Sequence, residues 1–271
     1  MKKGIDVSRH QGLVDWAKVK AAGIDFAILR AGYGMNTKDD CFDRNAKGCV
    51  ANNIQFGAYW FMYCKNAAEA EKNADKCHES IKKFKDNITM LVWCDFEYDT
   101  EKKANNKGVT FTKATRTACV NAFCKRLESY GYKVGYYANP DYLKTKFNKI
   151  SYPLWLAAYT GQAKYGQMIW QYSESGKVYG ISGNVDMNYS YMDDAKTLPT
   201  VPEPTLKRGS KGDAVWNLQE CLKYLGYDIS VDKSFGPATE SVVKKWQKDN
   251  KLTQDGSYGP ASHIKMKSLI K

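Results

Sequence analysis

The sequence predicts an α/β protein: an irregular, TIM-like β/α barrel of about eight strands with its last outer helices missing, followed by a small all-α domain of three helices. Three observations predict it. Short apolar runs alternate with helix-like stretches as far as about residue 150. Three further strand-like runs follow with only turn-rich links between them. Beyond three prolines in six residues, at 199–204, the chain carries an internal repeat. Strand–helix alternation implies a parallel sheet with right-handed crossovers, and about eight such strands close into a barrel.

In order, Gly4–Val7 reads as a first strand and Asp15–Ala22 as an amphipathic helix. Phe26–Ala31 precedes a helical Phe42–Asn52, and Phe56–Tyr63 precedes Ala67–Phe84. The apolar run Met90–Cys94 reads as a strand buried on both faces, and it ends in Asp95-Phe96-Glu97. Lys113–Tyr130 follows as a helix, with Thr112 suited to its N-cap and Gly131 to its C-cap. Lys133–Ala138 leads to a short helix with Asn139 at N-cap and Pro140 at N1. Leu154–Tyr159, Met168–Ser173 and Ile181–Met187 are the last strand-like runs; neither Thr160–Gln167 nor Glu174–Gly180 fits a helix. The barrel is thus expected over 1–197, a Pro-rich extended spacer over 198–205 and the small domain over 206–271. In that domain Val231-Asp232-Lys233-Ser234-Phe235-Gly236-Pro237 is echoed by Gln254-Asp255-Gly256-Ser257-Tyr258-Gly259-Pro260. Each copy supplies an Asp turn, an aromatic anchor and a Pro at a helix start.

Composition narrows the classes. The 271 residues suffice for one large and one small domain, and no stretch reaches the roughly 18–20 apolar residues of a membrane span. No apolar core of a secretion signal follows Met1-Lys2-Lys3, so synthesis in the cytoplasm is expected, and no stable membrane association. The eight cysteines lack zinc spacing and read as buried, reduced thiols. Cys94 with one of three histidines leaves a Cys–His dyad open. The formal charge of +12 favours polyanions, including acidic wall polymers; no nucleic-acid motif accompanies it, and nucleic acid is not an expected partner.

Side chains at i and i+2 of a strand share a side, so Asp95 and Glu97 should converge at the strand's C-terminal end, where β/α barrels carry their chemistry. Two carboxylates beside apolar walls cannot both ionise easily, and a raised acid beside an ionised partner is what glycosidic cleavage needs. A strand-end pair that caps helices or binds arginine is the alternative. Asp6 and Asp186 join the same mouth if the strands close in order, with Tyr59, Phe61, Tyr137, Trp155 and Trp170 at its rim. Four carboxylates with aromatic walls suit an uncharged, hydroxyl-rich chain cleaved by acid chemistry.

These residues resemble the family 25 glycoside hydrolases, lysozymes of the Chalaropsis type, over about 4–195. The matching pieces are Asp-Val-Ser-x-x-Gln-Gly (6–12), Gly-Ala-Tyr-x-Phe (57–61), Asp-Phe-Glu (95–97), Trp-Gln-Tyr (170–172) and Val-Asp (185–186). Trp60 stands where that family often has His. The resemblance implies hydrolysis of the β-1,4 bond between N-acetylmuramic acid and N-acetylglucosamine in bacterial peptidoglycan, with no metal or cofactor. Glu97 is expected as general acid. Asp95 is expected to stabilise the oxocarbenium-like centre, act as nucleophile or orient the substrate's acetamido group, while Asp6 and Asp186 tune the pair. A non-catalytic wall-binding protein and a hydrolase of another 2-acetamido polymer such as chitin are the rivals.

Residues 205–270 resemble the type 1 peptidoglycan-binding domain through Gly209-Ser210-Lys211-Gly212-Asp213, Leu218-Gln219 and the two Asp-turn repeats. Asp232, Phe235, Asp255 and Tyr258 are its expected wall-binding residues. Lys233 replaces a usual Gly, at an expected cost of about 1 kcal/mol if φ is positive. A wall lysozyme of this form resembles an endolysin that reaches the wall through a pore made by another protein.

Overall fold

The computed structural model describes every residue except 162–164, 193–198 and 271. Two compact units divide the chain, Met1–Asp194 and Ala195–Lys271. The expected boundary at 197/198 lies outside the described residues.

The first unit is a closed barrel. Its strands are β1 (Lys2–Val7), β2 (Phe26–Tyr33), β4 (Gln55–Phe61), β5 (Val92–Asp95), β6 (Val134–Ala138), β7 (Leu154–Ala157), β8 (Ile169–Gly176) and β9 (Val185–Ser190); β3 (Thr37–Lys38) is a two-residue hairpin arm on β2. Neighbours follow the order β1-β9-β8-β7-β6-β5-β4-β2, and β1 pairs with β2 to close the ring. Apart from the β3 arm, all pairs from β1 through β8 are parallel. The last strand is antiparallel to both neighbours, β8 and β1. It also begins four residues later than the sequence pattern suggests, because Ile181–Asn184 is spent on a turn.

The outer helices are α1 (Trp16–Ala21), α2 (Phe42–Ala51), α3 (Ala67–Ile81), α4 (Tyr98–Asn105) and α5 (Lys113–Ser129). Thr112 caps α5 by accepting from the Thr115 N–H. After β6 only a short helical turn, Tyr142–Lys146, remains. The β5 residues show how the two cores form. Val92 and Cys94 face outward into the layer shared with α3 and α5, where Ala74, Cys77, Phe123 and Leu127 are fully buried. Trp93 faces inward and packs with Phe26, Ile28, Trp155 and Ile169 as a plug inside the barrel. This period-2 division keeps the lower barrel dry and leaves only its mouth for polar chemistry.

The second unit packs α6 (Asp213–Tyr224), α7 (Pro237–Asp249) and α8 (Pro260–Leu269) around Val215, Leu218, Leu222, Val243, Trp246 and Met266. The repeat has one device used twice. Gln219 donates to Asp232, Ser234 O and Thr239, and accepts from the N–H groups of Asp232 and Lys233. Gln247 donates to Asp255, Ser257 O and Ser262, and accepts from the Gly256 N–H. Each buried glutamine thus holds the turn that starts the next helix. Lys233 has φ of 64°, the left-handed turn its usual glycine would adopt freely. The expected spacer differs: Val201 packs on this unit's core, Tyr258 Oη donates to Pro202 O, and His263 Nδ1 lies 2.9 Å from the same oxygen. Residues around 200–204 therefore belong to the small unit rather than forming a free linker.

Candidate active site

A cleft of about 290 Å³ opens at the C-terminal ends of the barrel strands. Asp6 from β1, Asp95 from β5, Glu97 just beyond it and Asp186 from β9 all line it. A second cavity of about 950 Å³ lies beside it and shares Glu97, Tyr137 and Tyr159 with the first. Glu97 therefore stands where two halves of a longer groove meet.

Backbone geometry places the pair. On β5, Asp95 follows the inward phase of Trp93. Phe96 turns outward against Phe111, Tyr142 and Phe147. Glu97 turns back to the cleft as the residue before α4, where its N–H donates to Thr100 Oγ1 and that hydroxyl donates to Met62 O. Burial pushes Asp95 well above the carboxylate range; the nearby Glu97 and Asp6 charges add to this and Arg30 opposes it. Burial also lifts Glu97 from its ordinary 4.5 to about 7, against a hydrogen bond from Tyr137 that favours the ionised form. Asp95 Oδ1 is buried and has no hydrogen-bond partner among the described residues.

Asp6 and Asp186 face each other in register across β1 and β9. An antiparallel β9 brings Asp186, near that strand's start, to the same mouth as Asp6 near the end of β1. Burial first, and then the Asp186 charge, raise Asp6, and burial raises Asp186 as well. Asp6 Oδ2 accepts from Asn188 Nδ2 at 2.7 Å and Gln171 Nε2 at 2.9 Å. Asn188 Oδ1 accepts the Trp155 indole N–H at 2.8 Å. Gln171 Oε1 accepts from the Tyr159 hydroxyl and lies 3.0 Å from that of Tyr137, whose one proton serves either Gln171 or Glu97. One network therefore runs from Trp155 through Asp6 and Gln171 to Tyr137, which touches Glu97.

Tyr59 and Tyr137 meet Trp155 edge-on, with ring centroids 5.8 and 4.9 Å away, and Phe61 lines the same wall. Trp155 is almost fully buried and forms the floor of the cleft rather than a stacking platform on its rim. Trp170 is elsewhere. Alternation along β8 turns it outward, where its indole donates to Ala158 O and packs by Tyr172 and Tyr189; Gln171 takes the inward position. Trp60 also faces outward, donating to Gly34 O and Asn73, so its replacement of His leaves the cleft wall untouched. Cys94 faces Cys124 on α5, away from the cleft, which removes the Cys–His reading. In the second unit, Phe235 and Tyr258 are core anchors with 1% and 0% exposure, and a side chain that buried cannot touch a polymer. Asp232 and Asp255 accept from the buried glutamines and from the N–H groups of Ser234 and Ser257, so they hold turns. Both remain exposed, so the correction of the expected wall contacts applies to Phe235 and Tyr258.

Arg30, Gln171, Asn188 and Tyr159 were not expected in the site. Arg30 donates to Asp39 at 2.7 Å, while its Nη2 is buried at the cleft wall without a partner among the described residues. The usable signal was phase: Ile28 and Ile169 point inward, so Arg30 and Gln171, two residues on, do too. Among the described residues, no group of three His, Cys, Asp or Glu side chains is arranged to hold a metal ion.

Residues 5–181 match the glycosyl hydrolases family 25, and residues 211–266 match a peptidoglycan binding domain family. Lysozyme M1 of Streptomyces globisporus is 32% identical over 199 residues, covering 69% of this chain and 66% of its own length. The autolytic lysozyme of Clostridium acetobutylicum is 27% identical over 269 residues, covering 95% of this chain and 76% of that protein. The modular autolysin LytC of Streptococcus pneumoniae, solved in complex with a synthetic peptidoglycan ligand, superposes with a TM-score of 0.61 at 28% identity. That match covers 69% of this chain and 46% of LytC, so the chain spans just under half of that protein.

Proposed function

The chain belongs to glycosyl hydrolases family 25, and on that premise we propose that it is an N-acetylmuramidase. Its barrel hydrolyses the β-1,4 bond between N-acetylmuramic acid and N-acetylglucosamine in bacterial peptidoglycan. The second unit holds the enzyme on the wall, raising its local concentration there. The observation that carries this reading is the position of Glu97. It is a half-buried acid lifted to about 7, at the junction of two cavities, beside three further carboxyls.

Glu97 is protonated below neutral pH and donates its proton to the leaving glycosidic oxygen. Asp95 Oδ1, buried and without a partner among the described residues, accepts the N–H of the substrate's 2-acetamido group. That contact aims the acetamido carbonyl oxygen at the anomeric carbon, which forms a bond to it as the glycosidic bond breaks. Water then attacks the same carbon and gives a proton to Glu97, restoring both groups. Asp6, facing Asp186, anchors Gln171 and Asn188, which keeps Tyr137 against Glu97. The site of action is the cell wall.

Digestion of purified peptidoglycan followed by mass analysis of the fragments tests this reading. Reducing ends on muramic acid are the expected product. Reducing ends on glucosamine, release of chitin oligomers in preference to wall fragments, or wall binding without any new reducing ends would overturn it.

A further inference from the structure

A third cavity, of about 300 Å³, opens at the same mouth of the barrel and contains none of the four carboxyls. That volume is at the lower end of small-ligand sites, roughly 300–1,000 Å³. It is built where β2, β4 and β5 end. Tyr33 and Tyr63 meet edge to face, with ring centroids 6.4 Å apart, and Met35 lies exposed beside them. Three ammonium groups surround this apolar bed: Lys65, Lys103 and Lys107. Lys65 is paired with Glu69 at 3.1 Å. Lys103 sits over the Tyr63 ring, 3.8 Å from its centroid. Among the described residues neither Lys103 nor Lys107 forms a salt bridge. The other acidic neighbour is Asp99, which borders Tyr63 and Lys103. Charge on this rim is therefore net positive.

Position decides what such a pocket is for. Phe61 lines the catalytic cleft, and its ring centroid is 5.2 Å from that of Tyr63. One aromatic ring thus separates the carboxyl site from the lysine-rimmed pocket, whereas the large cavity beyond Glu97 extends past β6 and β7 on the other side. A ligand reaching this pocket must carry negative charge and some apolar bulk, and must extend sideways from a sugar held over Asp95.

We infer that the pocket formed by Tyr33, Tyr63, Lys103 and Lys107 receives the acidic peptide attached to the muramic acid whose glycosidic bond is cut. This rests on the muramidase reading above. The peptide's carboxylates pair with the two lysines while its apolar groups lie on the tyrosines and Met35. Because the peptide is tethered to a sugar already bound, weak contacts suffice to favour peptide-bearing glycan. A phosphate-rich wall polymer satisfies the lysines but has no use for the apolar bed.

The test compares two polymers prepared from one wall: glycan strands with their peptides, and the same strands after an amidase has removed them. Lys103→Ala/Lys107→Ala should lower kcat/KM on the peptide-bearing strands by about three- to tenfold, the size expected for two solvent-accessible charge pairs. It should leave turnover of the stripped strands within about twofold of the parent, and Lys103→Arg/Lys107→Arg should behave like the parent on both. Equal loss on both polymers, or no loss on either, would overturn the inference while leaving the muramidase reading intact. A loss that disappears only when wall phosphate is removed would overturn it in favour of a polyanion site. If the parent releases no reducing ends from either polymer, the muramidase reading fails and this inference fails with it.

Discussion

Replacing Glu97 by glutamine should inactivate the enzyme and, above neutral pH, make the barrel more stable. Burial lifts this carboxyl from its ordinary 4.5 to about 7, so holding it ionised in the fold costs roughly 3 kcal/mol, at about 1.4 kcal/mol per tenfold change in its proton affinity. The sign follows from a raised folded value. The neutral acid's contribution is full below about 4.5 and is lost as pH rises through about 7. Glutamine never ionises and escapes the loss. Parent and Glu97→Gln should therefore differ little at pH ~5, and the variant should gain about 2–3 kcal/mol relative to the parent by pH ~8.5. In a barrel of this size that corresponds to roughly 5–10 °C in melting temperature. Thermal denaturation of both proteins at the two pH values measures it, alongside a turbidity assay in which the variant loses at least about 10²-fold in turnover. A melting difference that does not change with pH, or a variant less stable than the parent at high pH, would refute the claim that burial holds a proton on this residue.

Parent activity should decline as pH rises through about 7, where Glu97 gives up the proton it must donate; a pH–rate profile flat from 6 to 8.5 contradicts its role as acid. Asp95→Asn should cut kcat by about 10²-fold or more and Asp6→Asn by less, because Asp6 acts through Gln171 and Asn188; steady-state kinetics with circular dichroism separates this from misfolding. Lys233→Gly should stabilise the small unit by about 1 kcal/mol, since it relieves a left-handed backbone and loses only an exposed ion pair to Asp213. Gln247→Ala should destabilise that unit by roughly 2–4 kcal/mol by orphaning the turn at Asp255–Ser257, read from urea denaturation.

What was legible in the residues was what a local pattern carries. The run from Met90 to Cys94 announces a buried strand, and Asp95 and Glu97 share its cleft as the spacing requires. Among the described residues no helix follows β7 or β8, as the turn-rich links suggested. The reversal of β9 was not, because a strand's apolar pattern reads the same in either direction, and direction depends on partners. Asp186 was placed at the mouth for the right motif but reaches it by that reversal. Trp170 drew attention as an aromatic beside a glutamine, yet phase along β8 gives the inward position to Gln171. In the small unit, Phe235 and Tyr258 recur at matching positions because each helix turn needs the same core anchor, and recurrence alone does not separate packing from recognition.

The facing acids on β1 and β9 come from opposite ends of the barrel's chain, 180 positions apart. Synthesis delivers Asp6 first and Asp186 only with the last strand of the barrel, so a growing polypeptide cannot complete the amide clamp around Asp6 before then. Closing the ring and completing the carboxyl cluster are one event. A barrel that stops short of its final stave lacks Asp186 and Asn188, whatever it retains of the Asp-Phe-Glu segment.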